Sequence, residues 1–187
     1  NIDISKLLIE NGAIINKHDD YGRTALINAA EADYTDVADL LIKNGADIEA
    51  KDAKGSTALM KAAGRGGKET ATLLIAKGAV IESKNNLGYT PLIWAAMHGH
   101  RWVAALLIDN GADIENKDTS GNTALMWTAQ RGTEQVAMLL IEHGVDIDAG
   151  NNNGATALMM AAEKGYTNVI TLLIEHGAGI ELKDRYG

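Results

Sequence analysis

The chain has 187 residues, 46% of them hydrophobic and 22% charged, with a formal net charge of −8 and no cysteine. Without cysteine there is neither a disulfide framework nor a thiolate metal site, and the negative balance disfavours nucleic acid, which is held by Lys and Arg displacing counterions from phosphates. No apolar run approaches membrane-spanning length and the first residues lack a basic-then-apolar signal pattern, so a cytoplasmic protein with no membrane partner is expected.

Ile2 to Asn11 reads as a lone helix that closes a half repeat over residues 1–18. A phrase then recurs at a constant step of 33 residues: Gly22-Arg23-Thr24-Ala25-Leu26, with Gly55, Gly88, Gly121 and Gly154 opening the same phrase in turn, and Gly187 at the end of the chain. A second phrase, Asn11-Gly12-Ala13 and its successors at Gly45, Gly78, Gly111, Gly144 and Gly177, keeps that step. Self-similarity at this period predicts a stacked repeat array. The expected units run over about residues 19–51, 52–84, 85–117, 118–150 and 151–183, and 184–187 begins another. The first residues and the last stop mid-phrase, and neither end carries the polar substitutions expected of a cap.

Within residues 85–117, Asn85 to Tyr89 is turn chemistry, Thr90 is placed as a helix N-cap and Pro91 sits at the first helical position. Leu92, Ala95 and Ala96 share one face of a short helix that Gly99 ends. Arg101 to Asn110 is expected as the second, longer helix, with Val103, Leu106, Leu107 and Ile108 as its apolar stripe and Gly111 as a left-handed cap.

The Gly-x-Thr-(Pro/Ala)-Leu phrase, the paired alanines Ala62-Ala63 and Ala95-Ala96, the interhelical glycines Gly66, Gly99, Gly132 and Gly165 and the Gly-Ala-Asp-Ile closings are in register over the whole chain. By these motifs it resembles the ankyrin repeat family. The resemblance implies an all-α solenoid of stacked helix-turn-helix pairs with hairpin-like loops, working as a non-catalytic scaffold that binds a protein partner through a concave groove, without cofactor. The chain departs from the family pattern in three places. Ile27, Met60, Ile93, Met126 and Met159 stand where the family favours histidine, Asp33 replaces the first interhelical glycine, and Glu49, Glu82, Glu115, Asp148 and Glu181 replace the asparagine retained only at Asn16.

Chemistry is sparse. Gly64 to Glu69 superficially resembles a phosphate loop but fails its spacing and falls between helices. His98 and His100 lack an evident third metal ligand, and His143 and His176 precede glycines at helix ends, where imidazole favours the negative pole. Glu49, Glu82, Glu115, Asp148 and Glu181 alternate with Lys51, Lys84, Lys117 and Lys183, which reads as a solvated charge ladder rather than acid-base machinery.

Residues that vary between repeats carry the specificity. Helical arithmetic sets Trp94, Met97 and His98 opposite the buried face of their short helix, with Trp127 and Arg131 at matching places in the next repeat. Stacking puts the two tryptophans about 10 Å apart. Leu87 and Tyr89 lie on the adjoining loop tip. Aromatic residues and arginine dominate binding hot spots, so the expected partner site is Leu87, Tyr89, Trp94, Met97, His98, Trp127 and Arg131, with Trp102 packing on the opposite surface. Two other readings are a recognition segment of a larger protein and an array that self-associates end to end through its uncapped terminal repeats.

Overall fold

The computed structural model describes residues 2–186; Asn1 and the final phrase-opening Gly187 lie outside the described residues. Among these the chain forms eleven helices and no strand: α1 (Ile2–Glu10), α2 (Ala25–Glu31), α3 (Thr35–Lys43), α4 (Ala58–Arg65), α5 (Lys68–Ala76), α6 (Pro91–His98), α7 (Arg101–Asp109), α8 (Ala124–Arg131), α9 (Glu134–Glu142), α10 (Ala157–Lys164) and α11 (Thr167–Glu175). Each of α2, α4, α6, α8 and α10 pairs with the helix that follows it, and consecutive short helices pack on one another from repeat to repeat. The second helices form a parallel row behind them.

Each short helix starts where its sequence says it should. Thr24, Thr57, Thr90, Thr123 and Thr156 are extended, and the hydroxyl of each accepts the amide three residues on, at 3.2–3.4 Å. That bond satisfies one of the amides that a helix start leaves open. It also fixes the departure from family pattern: Ile27, Met60, Ile93 and Met126 supply only the amide, and their side chains are fully buried. Gly66, Gly99, Gly132 and Gly165 close four of the short helices with φ between 70° and 79°. The core is built from the alanine pairs, whose size lets helices approach closely, and from Leu26, Leu59, Leu74, Leu92, Leu107, Leu125, Leu140 and Leu173. In α7 the buried residues are Val103, Ala104 and Leu107, while Leu106 and Ile108 of the expected stripe are only half-buried. Ala104 takes the inner place because a helix squeezed between two neighbours has room there for a methyl group only.

The loops bind repeat to repeat. The amides of Ala53, Asn86, Thr119, Asn152 and Arg185 donate to the carbonyls of Tyr21, Lys54, Leu87, Ser120 and Asn153 in the preceding repeat, at 2.8–3.1 Å. Gly88 shows why glycine opens the phrase. It has φ 78°, and a Cβ there would lie 2.8 Å from the Thr119 nitrogen in the neighbouring loop. Conformation and proximity each exclude a side chain.

The expected solvated charge ladder is not what these residues form. Glu49 accepts the Val80 amide (2.9 Å) and the Ser83 hydroxyl (2.8 Å), Glu82 accepts the Asp113 amide (3.0 Å) and the Asn116 side chain, and Glu115 and Asp148 accept the amides of Asp146 and Gly179. Lys51, Lys84 and Lys117 donate to the carbonyls of Lys84, Lys117 and Gly150, one repeat further on. Among the described residues no ion pair joins the two sets. They are straps between consecutive repeats. A fixed turn amide or carbonyl outcompetes an exposed lysine-carboxylate pair, which contributes about 0–1 kcal/mol at most. Asn16 makes the same strap to the Asp47 amide (2.8 Å), so Glu replaces Asn without loss of the joint.

The first and last units are the least covered. α1 has no fully buried residue, Ile4, Leu7, Leu8 and Ile14 are exposed, and so are Ile174, Ile180, Leu182 and Tyr186 near the other end. No described helix is long and apolar enough to cross a membrane.

Candidate partner-binding face

Once each short helix has turned its leucine and alanines inward, three positions at spacing i, i+3, i+4 remain on its open side. They carry Lys61, Gly64 and Arg65 on α4, Trp94, Met97 and His98 on α6, Trp127, Gln130 and Arg131 on α8, and Met160, Glu163 and Lys164 on α10; none of these is fully buried. The short helices pack side by side, so these positions form one continuous face beside the loop tips.

An aromatic cluster occupies its middle. The Tyr89 ring, carried by the loop before α6, stands edge-on to both indoles, with centroids 6.2 Å from Trp94 and 5.3 Å from Trp127 and interplanar angles of 82° and 79°. The two tryptophans therefore do not lie against each other as a bare pair; Tyr89 meets both. Such edge-to-face contacts contribute about 0.5–1.5 kcal/mol each beyond burial. His98 stacks on Trp94 (5.4 Å, 4°) and its Nδ1 is 2.9 Å from the Trp94 carbonyl oxygen. Arg131 lies over Trp127 with its guanidinium carbon 6.0 Å from the ring centroid.

The tryptophans are equivalent by register and unequal in bonding. Trp127 Nε1 donates to Asp118 Oδ2 at 2.9 Å, whereas Trp94 Nε1 is buried without a partner. Asp118 and Asn85 hold the same turn position, each spending Oδ1 on two turn amides. The atom left over is an oxygen in Asp118 but an amide NH2 in Asn85, which can only donate. Burial pushes the Tyr89 phenol up from its usual value and the Asp118 charge adds to this, while Arg131 opposes it.

Three residues outside the expected partner site shape this face. The Trp94 ring lies over Gly64, where an added Cβ would come within 2.9 Å of Cε3, and Lys61 Nζ is 5.8 Å from the same ring centroid. Lys61 also donates to Asp52 Oδ2 at 2.9 Å, with little of either side chain exposed. Burial pushes the Asp52 carboxyl up, yet the Ser56 amide, the Lys61 ammonium and the Lys54 amide together hold it below the usual carboxylate value. The third is Asp118. The signal for all three is the 33-residue register itself, since Lys61 and Gly64 are the counterparts of Trp94 and Met97 in the preceding repeat and Asp118 is the counterpart of Asn85 in the following one.

Of the seven expected site residues, Tyr89, Trp94, His98, Trp127 and Arg131 are joined by the ring contacts above. Met97 is half-buried against the core beside them. Leu87 is exposed on the loop tip, where its carbonyl accepts the amide and hydroxyl of Thr119. Trp102 departs from expectation: it is 66% exposed, and its neighbours are the cations Lys68 and Arg101 at 5.4 and 5.8 Å rather than an apolar surface. His100 Nε2 is 3.0 Å from the Gly64 carbonyl oxygen, tying one interhelical turn to the next, and His143 and His176 bond the carbonyls of Leu139 and Leu172 in their own last turns. Among the described residues no three His, Asp or Glu side chains gather closely enough to hold a metal ion.

A solenoid of paired helices, laced through its loops and open along one aromatic face, defines a class: repeat proteins whose family works in protein-protein interaction. The chain matches the family model for ankyrin repeats over residues 1–52, 49–118 and 112–184, and it belongs to the ankyrin repeat family. A search of curated proteins returns no match.

Proposed function

We propose that this array is a non-catalytic scaffold that captures a protein segment on the face formed by Leu87, Tyr89, Trp94, Met97, His98, Trp127 and Arg131. One observation carries the reading: three aromatic rings meet at the centre of the array, half-buried, with part of each left open to solvent. Rigid aromatic anchors ordered before binding lose little entropy when a partner arrives. The test is affinity capture with the native array and with Trp94→Ala/Trp127→Ala, the bound proteins compared by mass spectrometry and folding checked by circular dichroism. Loss of the same captured species with the fold retained supports the reading, and unchanged capture sinks it.

A second reading, end-to-end self-association, is supported by the apolar cleft of about 250 Å³ beside α1, whose lining includes Leu8, Ile9, Ile14, Val37 and Leu41. Heterologous contacts between copies repeat into an open filament wherever the rotation between copies does not close a ring. Light scattering that grows with protein concentration is its signature; a constant mass excludes it.

A further inference from the structure

We propose that the open face receives an extended acidic segment of a protein, whose carboxylates meet Arg65, His98, Arg131 and Lys164 at intervals of one repeat. This rests on the scaffold reading and names the chemistry of its partner. The four residues are the last of α4, α6, α8 and α10, so they share one register, and all four are exposed. Among the described residues Arg65 and Arg131 make no ion pair, and Lys164 pairs only with its exposed neighbour Glu163.

The helix dipole does not account for this row. A cation is favoured at the C-terminus of any helix. Yet α7, α9 and α11, with the same dipole, end in Asp109, Glu142 and Glu175, and the imidazoles of His143 and His176 that follow two of them turn back onto carbonyls of their own helices at 2.8 Å. From α4 onward, basic residues therefore end the short helices, and acids end three of the four second helices. In a chain of net charge −8, this sorting by face leaves one positive line on a negative molecule.

Spacing sets the ligand. Packed helices stand about 8–10 Å apart, and a peptide in the extended polyproline II conformation rises about 3.1 Å per residue with three residues per turn, so every third side chain returns to the same face. Successive basic residues are thus matched by an acid at every third residue. Between His98 and Arg131 lie Tyr89 and the two indoles, which fit an apolar side chain placed between the second and third acids. A nucleic acid strand fits less well, because its unbroken run of phosphates would meet a basic residue only once per repeat and would also face the exposed Glu163 on this side.

The experiment is fluorescence anisotropy with a labelled peptide of about ten residues, carrying aspartate at every third place and one leucine between the second and third. Its comparator has the same composition with the aspartates clustered. The native array is expected to bind the spaced peptide, with affinity falling as salt is raised. Arg65→Glu/Arg131→Glu is expected to weaken it roughly tenfold or more, Arg65→Gln/Arg131→Gln by less, and a control pair off this face, Lys17→Glu/Lys77→Glu, by under about twofold. Circular dichroism confirms that each variant is folded.

The proposal is overturned by no binding, by equal affinity for the clustered peptide, or by equal weakening in the control pair. Displacement of the peptide by a single-stranded oligonucleotide that binds more tightly overturns it in favour of nucleic acid. Mass doubling that depends on Arg131 overturns it in favour of a second copy. If the peptide fails while capture still depends on Trp94 and Trp127, this proposal falls and the scaffold reading stands.

Discussion

The Asp33 carboxylate occupies the space that a side chain on Gly67 would need. At the later joints the arrangement is inverted: Gly66, Gly99 and Gly132 leave room for His100, Thr133 and Tyr166 in the following repeat. Asp33 is the one described non-glycine residue with positive φ, at 57°, and its Oδ1 accepts the Thr70 hydroxyl at 2.7 Å. Strain and hydrogen bond offset each other, so Asp33→Gly alone is expected to change stability by less than about 1 kcal/mol. Gly67→Thr alone drives a side chain into the carboxylate and costs about 1–3 kcal/mol. The double variant recreates the Gly99 and Thr133 joint, and chemical denaturation of the four proteins is expected to give a favourable coupling of about 1 kcal/mol or more. Simple additivity would refute the reciprocal fit.

Gly64 is a seat for Trp94 rather than a helix residue chosen for propensity. Replacing an interior helical glycine by alanine normally stabilises by about 1 kcal/mol. Here the new methyl group meets the indole, so Gly64→Ala is expected to be near neutral in the native background. In a Trp94→Ala background it should recover the full gain, and thermal melts of the pair of backgrounds decide the matter.

Supplying Trp94 with an acceptor is expected to stabilise the array. Asn85→Asp keeps the oxygen that caps the turn and turns the remaining atom from donor to acceptor, reproducing the Asp118 and Trp127 bond. The gain expected is about 1 kcal/mol, and more if the orphaned indole N–H is costly. The indole proton resonance of Trp94 should move downfield in the variant. An unshifted resonance would mean that the Asn85 side chain does not face the indole.

The helices were legible in the sequence because their signals are local: a threonine that caps its own helix, a glycine that takes φ near 75°, an alanine pair that lets two helices touch. Repetition at a fixed step then placed the open face, because Trp94 and Trp127 inherit the same register. What the sequence concealed lies between repeats. Glu82 finds its partners 31 and 34 residues away, one of them a backbone amide, so composition made it one rung of a charge ladder. The Tyr89 contacts were hidden for a related reason, since a ring on a loop chooses its neighbours only after two repeats have stacked. Trp102 resembled a packing residue until the cations around it were placed.

The straps give a further prediction. Glu115→Ala strands the Asp146 amide, which the carboxylate accepts at 2.6 Å, and removes one tie between consecutive repeats. The expected loss is about 1–2 kcal/mol, as for a charge-assisted bond at the protein surface. Glu115→Asn, which restores the family residue, should recover most of it because Asn16 makes the same bond. If instead the residue worked as part of a charge ladder, Asn would be no better than Ala, and urea denaturation separates the two.

Asp52 should make the stability of the array depend on pH on the acid side. Its carboxyl titrates below the ordinary value of 3.8 in the folded protein. The unfolded chain therefore takes up the proton first, so stability rises with pH through this window: the contribution is complete above about pH 5 and is lost as pH falls through the folded value. Lys61→Met removes the ammonium that shares in holding the carboxyl down, and leaves Asp52 with the Ser56 and Lys54 amides. At neutral pH the cost expected is about 1–3 kcal/mol, since both side chains are largely out of water. As pH falls through the folded value the carboxyl takes up its proton and no longer needs its cation, and the difference between native and variant should shrink towards zero. Asp19 and Asp39 also titrate below their ordinary value, lowered first by the Arg23 amide and by the Lys43 side chain respectively, but they are present in both proteins and cancel in the difference. Urea denaturation of the two proteins across that range measures it. A difference that stays constant with pH would mean that Lys61 acts through its packing on Trp94 and not through Asp52.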